Sequence, residues 1–147
     1  MAVVTKIYPQ FEFDLLTKAV AMTVDTFKCA LFSASTFTTT DTTYTTSGTE
    51  VASANGYTTG GVSCSTITTS TATTTPNLVK VTGNSGTSTW TATGAGFSAV
   101  AAKVYDSTVS NHPTCSIDFG GTQTASGGGT FTLTYDATNG LFNTASS

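Results

Sequence analysis

Gly129-Thr130-Phe131-Thr132-Leu133-Thr134-Tyr135-Asp136 alternates without a break. Phe131, Leu133 and Tyr135 fall to one side of an extended chain, and Thr132, Thr134 and Asp136 to the other. A period of two with one apolar face is the mark of a half-buried strand, and the Gly127-Gly128-Gly129 turn before it sets where it starts. The same period recurs upstream. Pro113 to Phe119 puts Cys115, Ile117 and Phe119 against Thr114, Ser116 and Asp118, and Thr26 to Phe32 puts Phe27, Cys29 and Leu31 on one side.

Further strands are expected at Val62 to Thr69, at the β-branched run Leu78 to Thr82, and at Ser88 to Ala92 around the lone Trp90. The two runs flanking Gly83-Asn84-Ser85-Gly86 are expected to pair as a hairpin. Val100 to Tyr105 reads as a strand, although its alanines also permit a helix. Asn55-Gly56, Gly60-Gly61 and Asn139-Gly140 mark turns, the last before Leu141-Phe142. About eight short strands separated by turns fit a sandwich, jelly roll or barrel, and no repeat of fixed period suggests a solenoid or propeller. The expectation is an all-β, jelly-roll-like β-sandwich forming a single domain over residues 1–147.

One helix is expected, from Pro9 to about Met22. Phe11, Leu15, Leu16, Ala19 and Val20 recur at helical spacing, and Glu12 and Asp14 lie near the positive end of the helix dipole. Between this helix and the later strands lie two threonine tracts, Ser33 to Thr49 and Thr66 to Thr75. Neither shows an apolar face, so both read as exposed loops or arms.

Composition narrows function. Only 9% of the 147 residues are charged, against a usual ~25%, and there is no arginine, while 36 are threonine. Threonine loses side-chain freedom in helices and sits well on a pleated surface, which agrees with the strand pattern. With five lysines against eight acids and no basic cluster, the footprint of a nucleic-acid binder is missing. One histidine and three cysteines make a metal site an unfavourable reading. The cysteines, 29, 64 and 115, are widely spaced among apolar neighbours and read as small buried hydrophobes rather than bridges. No export signal is visible, and the longest apolar stretches fall short of the ~20 residues a spanning helix needs, so a soluble chain is expected.

The residues that could carry chemistry each have a plainer role. Gly94-Ala95-Gly96-Phe97-Ser98-Ala99, with Asp118 downstream, formally fits the dinucleotide fingerprint, but that motif needs a βαβ unit and the surroundings are short strands. His112 and Cys115 could be drawn as a thiolate–imidazole pair, yet His112 lies in a turn-like Ser110-Asn111-His112-Pro113 and Cys115 shares the face of Ile117, so a solvated histidine and a buried thiol are expected. Glu12, Asp14, Glu50, Asp106, Asp118 and Asp136 could supply a glycosidase-type carboxylate pair, but isolated acids beside strands usually cap turns. Tyr44 and Tyr57 could present ring faces to a sugar, or pack a loop onto the sheet. No catalytic, cofactor-binding or metal-ligating residue is assigned, and an enzyme is not expected.

Several segments, in order, resemble small structural proteins of tailed bacteriophages. They are Phe27-Lys28-Cys29-Ala30-Leu31-Phe32, Glu50-Val51 through Asn55-Gly56-Tyr57-Thr58-Thr59-Gly60-Gly61, Ser88-Thr89-Trp90-Thr91, Ala101-Ala102-Lys103-Val104-Tyr105-Asp106, Ile117-Asp118-Phe119-Gly120-Gly121 and 129–136. The chain is similar to the jelly-roll or β-sandwich cement (decoration) proteins on the outside of icosahedral heads. The resemblance implies no cofactor and no active site. It implies a virion location on the outer surface of the capsid, a dimer or trimer of the chain, and the major capsid protein as partner, with no nucleic acid or membrane bound. On this reading the two threonine tracts are contact arms. A tail, fibre or other minor virion component, or a carbohydrate-binding β-sandwich module, is the alternative.

Overall fold

The computed structural model describes residues 4–64, 68–71, 78–82, 87–134 and 142–145. The protein is mostly β with one short N-terminal helix. Its elements in chain order are β1 (Val4–Ile7), α1 (Pro9–Leu16), β2 (Phe27–Ser35), β3 (Gly48–Glu50), β4 (Val62–Ser63), β5 (Thr68–Thr71) and β6 (Leu78–Thr82). They continue with β7 (Thr87–Thr91), β8 (Phe97–Asp106), β9 (His112–Ala125), β10 (Thr130–Thr134) and β11 (Phe142–Ala145).

The main sheet is six-stranded and antiparallel, in the order β1-β9-β8-β2-β3, with β4 also on β2. It is not closed. A two-stranded ribbon pairs β10 with β7, setting Phe131 opposite Trp90, and a three-stranded sheet runs β11-β6-β5. The expected hairpin between the runs at 78–82 and 88–92 is therefore not formed. β6 lies between β5 and β11, and β7 takes β10, because pairing Trp90 with Phe131 puts the apolar faces of both strands on one side. The turn at 83–86, the end of the opening stretch at Tyr135 and Asp136, and the Asn139-Gly140 turn lie outside the described residues, as do 66–67 and 72–75 of the second threonine tract, whose Thr68–Thr71 is strand β5 paired with β6 rather than a free arm.

The period of two explains the first core. Phe27, Cys29 and Leu31 of β2, Ala102 and Val104 of β8, and Cys115, Ile117 and Phe119 of β9 lie in one buried cluster with Trp90, Phe131 and Leu133 of the ribbon. Phe131 is the hub, with ring centroids of Trp90, Phe97 and Phe119 at 5.8–5.9 Å. Each large side chain so buried contributes roughly 1.5–3 kcal/mol over leaving it in water. Val100 to Tyr105, open between strand and helix from sequence, is strand β8, which pairs with β2 on one side and β9 on the other.

The other face of the main sheet is also buried. Ala30, Phe32, Ala101 and Tyr105 form a second cluster, closed by Tyr44 from the loop between β2 and β3. The Tyr44 ring stacks on Tyr105 with centroids 3.8 Å apart and planes 5° from parallel. So Ser33 to Thr49 is not a projecting arm. Its first residues finish β2, its last begin β3, and the loop between folds over the sheet with Asp41 and Tyr44 buried.

The helix is shorter than expected and shows a different face. It ends at Leu16, and Lys18, at φ +58°, turns the chain away. Phe11 and Asp14 point inward, whereas Leu15 and Leu16 are exposed. Asp14 turns in because its carboxyl meets a ring nitrogen on β9, described below. Of the marked turns, Gly61 shows why glycine is needed. Its φ is +66°, and a Cβ there would run into the Cys29 carbonyl oxygen on β2.

Candidate functional site

The second face of the main sheet concentrates the buried polar groups. β8 presents Lys103 on this face, and its side chain is fully buried. Nζ donates to the Ser47 carbonyl oxygen at 2.6 Å and lies 3.8 Å from Oδ2 of Asp41. The Ser47 hydroxyl donates to Asp41 Oδ1 at 2.7 Å. Aromatic rings line the rest, with Nζ 4.8 Å from the Phe32 centroid and 5.8 Å from that of Tyr8. Burial pushes the Lys103 amine down, against the opposing pull of Asp41. Burial likewise pushes the Tyr8 hydroxyl up to about 12.

Beside this cluster a groove of about 210 Å³ runs over the sheet, lined by Lys6, Thr36, Phe37, Ala101, Ser116 and Asp118 among others. Lys6 Nζ sits 5.2 Å from the Phe37 ring centroid. Asp118 is spoken for in part, since its Oδ1 accepts the Gly120 N–H at 2.8 Å.

The acids considered for a carboxylate pair are held in separate places. Glu50 accepts from the Tyr57 hydroxyl at 2.7 Å, the Gly60 N–H at 2.6 Å and the Tyr44 hydroxyl at 3.1 Å. Asp106 accepts the N–H groups of Thr108 and Val109 at 2.8 and 3.2 Å, a turn cap of the expected kind. Burial, with Asp25 adding to it, raises the Asp106 carboxyl pKa. Glu12 is exposed on the helix, and Asp136 lies outside the described residues.

His112 is not a solvated turn residue. It opens β9, and its Nδ1 lies 2.8 Å from Oδ2 of Asp14, a pair linking the helix to the sheet. Cys115 is sealed in the first core, where burial pushes its thiol up, so the structure does not join the two as nucleophile and base. All three cysteines are buried thiols. Tyr44 and Tyr57 are buried at 9% and 3% exposure, and so present no open ring face to a sugar. Gly94 to Gly96 is a turn and Phe97 to Ala99 open strand β8 rather than a helix, which removes the phosphate site the fingerprint needs. Among the described residues no group of three or more His, Cys, Asp or Glu side chains could hold a metal ion, and no helix is long and apolar enough to cross a membrane.

Four large apolar side chains stand in water close together in the chain: Phe13, Leu15 and Leu16 of α1, and Val24 in the turn that follows. Leu16 is 85% and Val24 81% exposed. Sequence reasoning missed this surface by grouping Leu15 and Leu16 with Phe11 on one helix face. It also missed the Lys103 cluster, whose one visible signal was a lysine in the middle of an otherwise apolar strand.

No family model matches the chain, and no curated protein or solved structure shows a match to it.

Proposed function

We propose that this chain is a non-enzymatic structural protein of a tailed-phage virion. It is a cement (decoration) protein on the outer surface of the head that stabilises contacts between major capsid proteins. In this reading its sheets belong to a jelly-roll-like β-sandwich, and the chain works as a dimer or trimer. The observation that carries the proposal is the exposed segment Phe13, Leu15, Leu16 and Val24 on a chain with 9% charged residues. Exposed apolar surface of this kind favours a protein partner, and a surface with few ions loses little solvation when covered. A protein that binds the assembled shell and not its dissociated subunits stabilises the shell by mass action. The resemblance of the six segments quoted above directs the reading to the capsid.

Quantitative mass spectrometry of purified particles, comparing this chain with the major shell protein, tests it. A copy number within a few-fold of the shell protein is expected. A handful of copies would assign the chain to a tail or vertex, and absence from particles would overturn the virion reading.

A further inference from the structure

We propose that Lys103 and Asp41 form an intramolecular amide cross-link tying the loop between β2 and β3 to strand β8. The proposal is independent of the virion reading. It starts from an ion pair in an unfavourable place. Both side chains are almost fully buried, at 0% and 1% exposure, and the charged atoms stand 3.8 Å apart, beyond hydrogen-bond distance. Asp41 Oδ2 has no hydrogen-bond partner. The rings of Phe32 and Tyr8 face the amine in place of water. Separated buried charges among aromatics are costly to keep, and condensation removes both.

Ser47 holds the two reactants together. Its carbonyl oxygen accepts from Nζ, which orients the amine, and its hydroxyl donates to Oδ1, which polarises the carbonyl that the product retains. Nζ stands 3.8 Å from Oδ2, and attack requires it to close on Cγ to a near-attack separation of about 3–3.5 Å. The lowered pKa of the amine favours its neutral, nucleophilic form.

The step balances within the pair. One proton passes within the pair from the ammonium to Oδ2, and the lone pair of the amine so freed attacks Cγ and forms the Nζ–Cγ bond. The Cγ–Oδ2 bond then breaks, and Oδ2 leaves as water, carrying its own proton and one from the amine. The amide keeps one N–H, and no oxidant, reductant or other reactant is consumed. Holding both groups in one cage replaces an encounter between separate molecules, which for well-oriented pairs is equivalent to effective concentrations of roughly 10⁵ M and above.

The test is the intact mass of the purified full-length chain under denaturing conditions, with a tryptic map. The expected mass is lower than that of the sequence by one water, about 18 Da. Trypsin should leave Lys103 uncut, so that peptide 29–80 is recovered joined to 81–147. A mixture of both masses whose lighter form grows during incubation of the folded protein supports the proposal equally. Lys103→Arg and Asp41→Ala should each show the full mass of their own sequence. Because either variant could lose the fold, the map of the unaltered chain decides. Peptides 29–80 and 81–103 recovered separately at their own masses, with no growth of a joined form, would overturn the cross-link.

Discussion

The hydroxyl of Tyr57 donates to Oε1 of Glu50 at 2.7 Å while accepting the Leu31 N–H at 2.9 Å. β3 and β4 pair with opposite ends of β2 on the same edge, and Leu31 falls in the gap between them. The phenol supplies the acceptor that a continuous strand would have supplied there, and Glu50, which also takes the Tyr44 hydroxyl and the Gly60 N–H, fixes it. Burial pushes the Tyr57 hydroxyl well up, so it remains a donor to Glu50 throughout the ordinary pH range.

Tyr57→Phe keeps the ring and strands the buried Leu31 N–H. We expect a loss of about 1–3 kcal/mol, the cost of one unsatisfied buried group. Glu50→Ala should cost more, because it removes an acceptor from three donors at once. Urea denaturation of the two variants checks both the size and the order, and a Tyr57→Phe variant as stable as the parent would remove the phenol from the account of this edge.

How far the sequence foretold this structure depends on how many faces of each strand are covered. β10 buries one face and keeps a clean alternation, so it was legible; the first half of β9 is covered on both faces, but Thr114 and Ser116 on the second face keep its polarity alternating with Cys115 and Ile117. β8 is buried on both faces along most of its length, which erases the alternation and leaves helix and strand equally compatible. The helix face was misjudged because periodicity counts Leu15 and Leu16 as core, while the partner that turns Asp14 inward, His112, is far away in sequence. The loop carrying Asp41 and Tyr44 looked like an arm because threonines outnumber the two residues that anchor it. Lys103, Asp41 and Ser47 meet only through the fold, and no spacing rule brings them together.

The Asp106 carboxyl, raised by burial and by Asp25, holds its proton to higher pH in the folded than in the unfolded chain. Between the ordinary carboxylate range and that raised value the folded state binds more protons. Its contribution to stability is therefore full below the ordinary range and falls as pH rises through the window. Asp106→Asn retains a carbonyl acceptor for the Thr108 and Val109 N–H groups and cannot ionise. Urea midpoints measured across a pH series should decline less steeply with rising pH for the variant, and at neutral pH the variant should be the more stable. An unchanged slope would place the pH dependence in other groups.

Two glycines with similar backbone angles separate conformational strain from steric collision. Gly128 has φ +83° with nothing within 4 Å of a built Cβ, whereas a Cβ at Gly61, φ +66°, meets the Cys29 carbonyl. Gly128→Ala should cost about 1–2 kcal/mol, the penalty of a left-handed residue alone. Gly61→Ala should cost more, because backbone on β2 must move. Thermal unfolding of both variants compares them directly, and equal losses would show that the loop at 60–61 yields without disturbing β2.

The three thiols give a simple readout of core integrity. Cys29, Cys64 and Cys115 are buried thiols, and burial pushes the Cys115 thiol far up. An aromatic disulfide reagent at mildly alkaline pH should find essentially no reactive thiol in the folded protein, and all three after denaturation. Rapid reaction of one thiol in the native state would show that the first core opens locally at that position.

The exposed apolar segment offers the sharpest separation of stability from function. Leu16 and Val24 are more than four-fifths exposed, so Leu16→Gln and Val24→Gln should each change folding stability by no more than about 0.5 kcal/mol. If this surface docks on the capsid, covering one leucine contributes roughly 1.5–3 kcal/mol to that contact, so Leu16→Gln should weaken attachment about tenfold or more. The measurement is binding of purified variants to particles that lack the protein, with occupancy followed against concentration and melting temperature recorded in parallel. Weakened occupancy at an unchanged melting temperature is the expected result. Full occupancy by both variants would move the contact to another face of the molecule, since neither substitution disturbs the sheet that carries the rest of the surface.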